Sequence, residues 1–454
     1  YKKFPIVINK RLESNYNAAE YFNEEIRKFL YKKYGKDILY KEGLIIKTTI
    51  NTHLQSIADK SLVEGLINYD IKQGWRGAIK NISFPIYSNK FKKEEFKNPF
   101  LDTWILVQLN EKLNDRLLWV IDVDKNKYKI DLKLDDNLWL KNKKFAKGDI
   151  FYIEERKNNY IIRQIPEVNG GIVVLNPHNG DVLALSGGLS FKLSEFNRAT
   201  QAKRQPGSAF KPFVYITALK EGYNPSTLIL DAPYVVDQGP GLPKWKPANY
   251  TEEFYGINTM RTGIEKSRNL MTIRLADKIG MNKILSTSKD FQIDDYIDEK
   301  LSMSLGSGHV TLLSLTSAYG MIANGGKKIH PTMVKSIYSK EGTKIVHNEI
   351  KKCINCKLDN INSVYTIPEI LIEQEDILDS RIAYQITSML EGVVLRGTGR
   401  KLKDLNIPLA GKTGTTNDNK DAWFVGFSPD LVIGIYVGHD NPKSLGYKQT
   451  GSSV

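Results

Sequence analysis

The stretch Arg204-Gln205-Pro206-Gly207-Ser208-Ala209-Phe210-Lys211-Pro212-Phe213 decides how this chain is read. Gly207 permits a tight turn and an apolar helical pattern follows, so Ser208 is expected at or near a helix N-terminus with Lys211 one turn further on. Residues three apart share a helix face, which sets the amine beside the hydroxyl. A helix N-terminus also favours developing negative charge. The pattern is a nucleophile next to a candidate base. Alone it carries little, because Ser286-Thr287-Ser288-Lys289 fits the same expression in a chain rich in both residue types.

Two downstream elements give it weight. Ser267-Arg268-Asn269 is the only Ser-x-Asn in the chain and precedes a helical run, Leu270 to Ile279. Lys412-Thr413-Gly414-Thr415-Thr416 occurs once, after the apolar Pro408-Leu409-Ala410, where a strand end is expected. None of the six histidines sits in a recognisable Ser-His-Asp context, so Lys211 is the economical base for Ser208. A lysine of ordinary pKa, about 10.4, must fall by about three units to act near neutrality, which is roughly 4 kcal/mol. One cation at ~4 Å supplies about that much at an effective dielectric near 20. Lys412 is the expected cation, with desolvation adding to its effect.

Around these motifs the texture is mixed. Gly171 to Leu175 and Asp181 to Leu185 read as two strands joined by a turn, and Asp421 to Phe427 with Leu431 to Val437 as another pair. Helical stretches follow Ser208 and Ser267 and span Thr311 to Asn324 and Arg381 to Leu395. Upstream, Trp104 to Leu109, Leu117 to Val123 and Ile150 to Ile153 are short alternating runs broken by turn signals such as Lys147-Gly148-Asp149, which suits a small all-β module. Before it, Tyr21, Phe22, Ile26, Phe29 and Leu30 recur at helical spacing and Leu44 to Ile50 is extended, a segment read as a tether.

The three motifs in this order match the set shared by penicillin-binding proteins and serine β-lactamases. The chain further resembles the transpeptidase domain of class A penicillin-binding proteins at Pro166 to Gly188, Phe196 to Ala202, Ala318 to Gly326 and Ala410 to Gly438. Tyr69-Asp70 with Gly74-Trp75-Arg76-Gly77 resembles the opening of the OB-like insertion of Gram-negative members. The resemblance implies an α+β fold, an antiparallel sheet with flanking helices. It also implies three parts: a linker over residues 1–68, the OB-like β insertion over 69–165 and the transpeptidase domain over 166–454.

The same resemblance implies serine acyl transfer without metal or cofactor. Ser208 is the expected nucleophile and Lys211 its base. Ser267 relays a proton, Asn269 orients the lysine and the substrate amide, and the Ser208 and Thr415 amides form an oxyanion hole. Lys412, Thr413 and Thr415 receive a terminal carboxylate, and Gly414 belongs to the same substrate-binding and oxyanion stretch. The implied substrates are peptidoglycan stem peptides ending in D-Ala-D-Ala, with β-lactams as inhibitors. Competing readings are a β-lactamase, a D,D-carboxypeptidase and a non-catalytic β-lactam sensor. His309 stands where the family commonly has an acidic residue, and the chain stops at Val454, where the family usually continues.

Composition bounds the rest. The 454 residues are 41% hydrophobic and 26% charged, which excludes a disordered or collagen-like chain. The net charge of +14 divides unevenly: residues 166–454 hold 33 Lys+Arg and 29 Asp+Glu, leaving 65 − 33 = 32 against 51 − 29 = 22 before them. The excess lies mostly in the first third, interspersed with Asn and Ile, which argues for a solvated face or an anionic envelope partner or wall polymer at residues 69–165 and against nucleic acid. A rigid spacer is the other reading of that module. No run reaches the ~18 to 20 apolar residues of a membrane helix. Since the chain opens at Tyr1, an N-terminal anchor outside it is expected to hold the protein on the periplasmic face of a Gram-negative inner membrane. In that oxidising compartment Cys353 and Cys356 are expected to bond to each other.

Overall fold

The structure is a computed structural model that describes residues 19–100, 103–237, 241, 243–293, 298–347, 351–354, 369–372, 374–446 and 449–452. Its centre is a five-stranded antiparallel sheet in the order Ala410–Thr415, Asp421–Phe427, Val432–Gly438, Asn169–Leu175, Val182–Ser186. The apolar run from Ile172 to Leu175 is continuous because both faces of the sheet are covered. Val173 and Leu175 enter the main core with the helices Leu312–Ala323 and Ser380–Leu395. Ile172 and Val174 face the other way, onto Ala58, Leu62 and Leu66 of the helix Thr52–Gln73. The four helices expected beyond Ser208 are present, as Lys211–Lys220, Asn269–Ile279, Leu312–Ala323 and Ser380–Leu395.

The segment read as a tether is packed into this domain. Tyr21, Phe22, Ile26 and Leu30 of the helix Glu20–Lys41 belong to the main core, while Phe29 points outward at 45% exposure. The short strand Ile45–Thr48 pairs with Val334–Tyr338, and the Tyr69 hydroxyl donates to Leu445 O at 2.6 Å. The helical period of the sequence was visible; the partners of its apolar face lie hundreds of residues away.

Between residues 80 and 163 a separate six-stranded antiparallel module has its own core of Val107, Leu109, Leu118, Val120, Ile130, Phe151, Ile153 and Ile162. Its end strands Lys127–Asp131 and Asn159–Arg163 are not paired to each other. The buried Asn137 amide bridges them, donating to Asp131 O at 3.0 Å and Tyr160 O at 3.2 Å and accepting from Ile162 N at 3.0 Å. Trp75 plugs one end of the module against Trp139, Phe145 and Phe151. Arg76 staples the way in to the way out, through Asp70 Oδ1 and Ile165 O, both at 2.6 Å. Of the Cys353–Cys356 bond expected from sequence, Cys356 lies outside the described residues.

Candidate active site

Gly207–Phe210 forms a 3-10 turn, and Lys211 opens the α-helix Lys211–Lys220 with Pro212 in its first turn, where a missing N–H costs nothing. Two glycines let the backbones close around it. Gly207 has φ +53°, and a Cβ there would meet Thr415 O at 2.5 Å; a Cβ on Gly414 would meet Pro206 O at 2.3 Å. The edge strand carrying Lys412, Thr413 and Gly414 is thereby seated against the turn carrying the half-buried Ser208.

Lys211 and Lys412 are both fully buried. They meet on one hydroxyl: Ser267 Oγ accepts from Lys412 Nζ at 2.9 Å and lies 3.3 Å from Lys211 Nζ. Lys211 also donates to Ser267 O and Asn269 Oδ1, each at 2.7 Å. Two short acceptors and one longer hydroxyl contact suit a neutral amine, which has two N–H groups and one lone pair. Ser267 presents both of its oxygens because it sits at φ +56° in the tight loop between the helices Met260–Glu265 and Asn269–Ile279. That left-handed backbone costs a non-glycine residue about 1–2 kcal/mol.

Burial pushes Lys211 well below the ordinary lysine range, the Lys412 and Arg268 charges push the same way, and Asp231 opposes them. This reverses the order of causes expected from sequence, in which Lys412 leads and desolvation follows. Lys412 itself is pushed down to about 7 by burial, so it is not a fixed cation. The direct contact that the Ser208–Lys211 spacing suggested is not made as a hydrogen bond. Among the described residues no hydrogen bond joins Ser208 Oγ to Lys211 Nζ, because a buried amine takes the stronger carbonyl and amide acceptors.

The Thr413 hydroxyl shares a 2.8 Å hydrogen bond with Thr398. Asp421 N donates to Thr416 Oγ1 at 2.9 Å, and Asp421 Oδ1 accepts from the Tyr436 hydroxyl at 3.2 Å. Arg204 Nε donates to that hydroxyl in turn at 2.7 Å, so the far end of the strand is braced. Burial raises the Asp421 pKa, with Arg204 opposing. His309 is exposed on the segment whose Gly306 O accepts from Gly207 N at 3.1 Å. Ser286 and Lys289, the competing Ser-x-x-Lys, are exposed on the helix Met281–Asp290.

Sequence reading missed Asp231, Asn249 and Thr398. Each reaches the site through tertiary packing, and no local spacing marks them. Among the described residues no cluster of His, Cys, Asp and Glu is arranged to hold a metal ion. No described helix is long and apolar enough to cross a membrane.

A serine and a lysine on one helical turn, a second serine between two buried lysines and a Lys-Thr-Gly edge strand are the motif set shared by penicillin-binding proteins and serine β-lactamases. Residues 170–454 match the penicillin binding protein transpeptidase domain, and the chain belongs to that family. It is 42% identical to penicillin-binding protein 1A of Rickettsia bellii over 99% of this chain and 57% of the relative. It is 33% identical to penicillin-binding protein 1A of Neisseria gonorrhoeae, over 96% of this chain and 54% of that protein. The chain thus spans little more than half the length of these relatives. The crystal structure of penicillin-binding protein 1A from Haemophilus influenzae superposes with a TM-score of 0.82 at 28% identity, covering 96% of this chain and 68% of that one. The class A resemblance and the mixed helix and sheet fold expected from the motifs agree with these relatives.

Proposed function

We propose that this chain is a serine-type D,D-transpeptidase that cross-links peptidoglycan stem peptides on the periplasmic side of a Gram-negative inner membrane. The observation that carries the reading is the meeting of two fully buried lysines on Ser267 Oγ, at 2.9 and 3.3 Å, beside the Ser208 turn.

Ser208 Oγ gives its proton to Lys211 Nζ as it bonds to the penultimate D-Ala carbonyl carbon. The oxyanion formed there is met by the Ser208 and Thr415 amides. The carbon–nitrogen bond then breaks, and Ser267 passes the proton on to the leaving D-Ala amine. In the second step an amine of a neighbouring stem peptide attacks the ester, the new amide forms, and Ser208 Oγ recovers a proton. Lys412 and the hydroxyls of its strand hold the terminal carboxylate. Beyond polar positioning the chemistry needs no cofactor. A β-lactam enters the same first step with its strained amide, and its ester persists because no amine replaces it. The β module is assigned to an anionic envelope partner or wall polymer.

Intact-mass analysis after penicillin treatment tests this reading. A stable adduct of one penicillin on Ser208, absent from Ser208→Ala, is expected. Full labelling of the folded alanine variant, or rapid turnover of the drug without an adduct, would overturn it.

A further inference from the structure

The base is held from behind by groups that the acyl-transfer scheme does not use. Asp231 ends the short strand Leu228–Asp231 with its side chain wholly buried. Its Oδ1 accepts from Asn249 Nδ2 at 2.8 Å, whereas Oδ2 has no hydrogen-bond partner and lies 3.9 Å from Arg268 Nε. A buried carboxylate with an orphan oxygen is costly and calls for a reason. Asn249 supplies the connection. Its Oδ1 accepts from Asn269 N at 2.8 Å and Leu270 N at 3.4 Å, capping the helix Asn269–Ile279 in place of Arg268, whose side chain makes no cap. Asn269 Nδ2 is meanwhile tied to Ala248 O at 2.7 Å, which leaves Oδ1 to face Lys211.

We propose that Asp231 and Asn249 are positioning residues for the acylating base: Asn249 locks Asn269 with its oxygen toward Lys211, and Asp231 fixes Asn249 while acting as buried countercharge to Lys211. The inference rests on the acyl-transfer reading of Ser208 given above. The charged groups acting on Lys211 are Lys412 and Arg268, which disfavour its protonated form, and Asp231, which favours it. Arg268 is stacked on Tyr255, 3.3 Å from the ring centroid, and so is held on its own side of Asp231. Two opposed charges bracket one amine.

The opposition gives a test with two signs. The rate of penicillin acylation of Ser208 is measured against pH in the parent chain and in folded variants, with folding checked by thermal melting. Asp231→Asn keeps the shape and removes the charge, so the acid limb of the profile is expected to move down by about 0.5 to 1 pH unit. Arg268→Gln removes the opposing charge, and the limb is expected to move up by a similar amount. Asn249→Ala leaves both charges but frees Asn269, so the rate is expected to fall about ten- to a hundredfold with its acid limb unmoved.

A merely structural role would lower the melting temperature and leave the pH limbs in place. Unmoved limbs in the charge variants, or a parent-like rate in Asn249→Ala, overturn the proposal. If Asp231→Asn does not fold, Arg268→Gln on the half-buried surface carries the test alone. If the parent is not acylated at Ser208 at all, it is the acyl-transfer reading that has failed.

Discussion

Asn137 in the β module and Lys211 in the transpeptidase domain are both wholly buried polar side chains, and each has three polar partners within 3.3 Å. Asn137 is neutral, its oxygen meets an N–H, its nitrogen meets two carbonyls, and the result joins two strand ends. Lys211 can carry charge, and the charge that acts on it most strongly is that of another buried lysine, Lys412. The first is a satisfied polar group that stabilises its fold. The second is a group whose charged form the fold resists, which is how a weak acid becomes a base near neutrality. Burial of polar atoms therefore does not mark function; burial against the group's own charge does.

Lys211→Met breaks the comparison most severely. It removes the base and leaves an apolar chain of similar length, so Ser208 acylation by penicillin is expected to fall about 10²- to 10⁴-fold. The variant also reads the strain. A lysine lowered in the folded state is protonated only in the unfolded chain between its folded pKa and about 10.4, so the unfolded state binds more protons and stability rises with pH. Each fully lowered lysine contributes about 1.4 kcal/mol per pH unit to that rise. Between pH 7 and 9 the parent should therefore gain stability faster than Lys211→Met, by chemical denaturation at each pH. Equal slopes would mean that Lys211 is charged in the folded protein.

How much of this was legible follows from where the information lies. The three motifs are local, so the residues from Ser208 to Thr415 could be named as a group from sequence alone, and the continuous apolar run from Ile172 to Leu175 announced its strand. The helices Glu20–Lys41 and Thr52–Gln73 announced their period but not their partners. A helix face is apolar whether it meets another protein or a sheet of its own chain. Lys412 illustrates the same limit at the site. Its identity was plain, but its descent to about 7 comes from burial, which only the packed structure defines. Asp231 and Asn249 were silent, since an aspartate at a strand end and an asparagine in a loop are ordinary surface residues by pattern.

The lowered Lys412 sharpens the comparison through pH. Lys211 must be neutral to accept the Ser208 proton, and Lys412 must be charged to hold a carboxylate. The second-order rate of acylation should therefore rise with pH through the depressed Lys211 titration and fall above about 7, by about tenfold per unit, as Lys412 loses its proton. A bound carboxylate supports the Lys412 charge, so the rate at saturating penicillin should hold to higher pH than the second-order rate does. A penicillin ester, lacking that carboxylate, should show no such separation. Stopped-flow acylation across pH 5 to 10 checks each point. A plateau extending to pH 10 in the second-order rate would leave Lys412 an ordinary lysine despite its burial.

Asn137→Ala tests the other side and should affect acylation least. The variant leaves Asp131 O, Tyr160 O and Ile162 N without their buried partner, a loss of about 2–3 kcal/mol to the module. Those groups sit where Lys127–Asp131 approaches Asn159–Arg163 without pairing, so the seam between the end strands should open first, seen as faster amide exchange in both. The module has its own core, Trp75 packs within it, and Arg76 fastens it through Asp70 and Ile165, none of which bonds to Ser267 or Lys412. The rate of Ser208 acylation is therefore expected to stay within about twofold of the parent, as for a substitution that touches no group of the site. A tenfold loss in the folded variant would show that the module shapes the active site. Asn137 would then belong, with Lys211, to the machinery of acyl transfer.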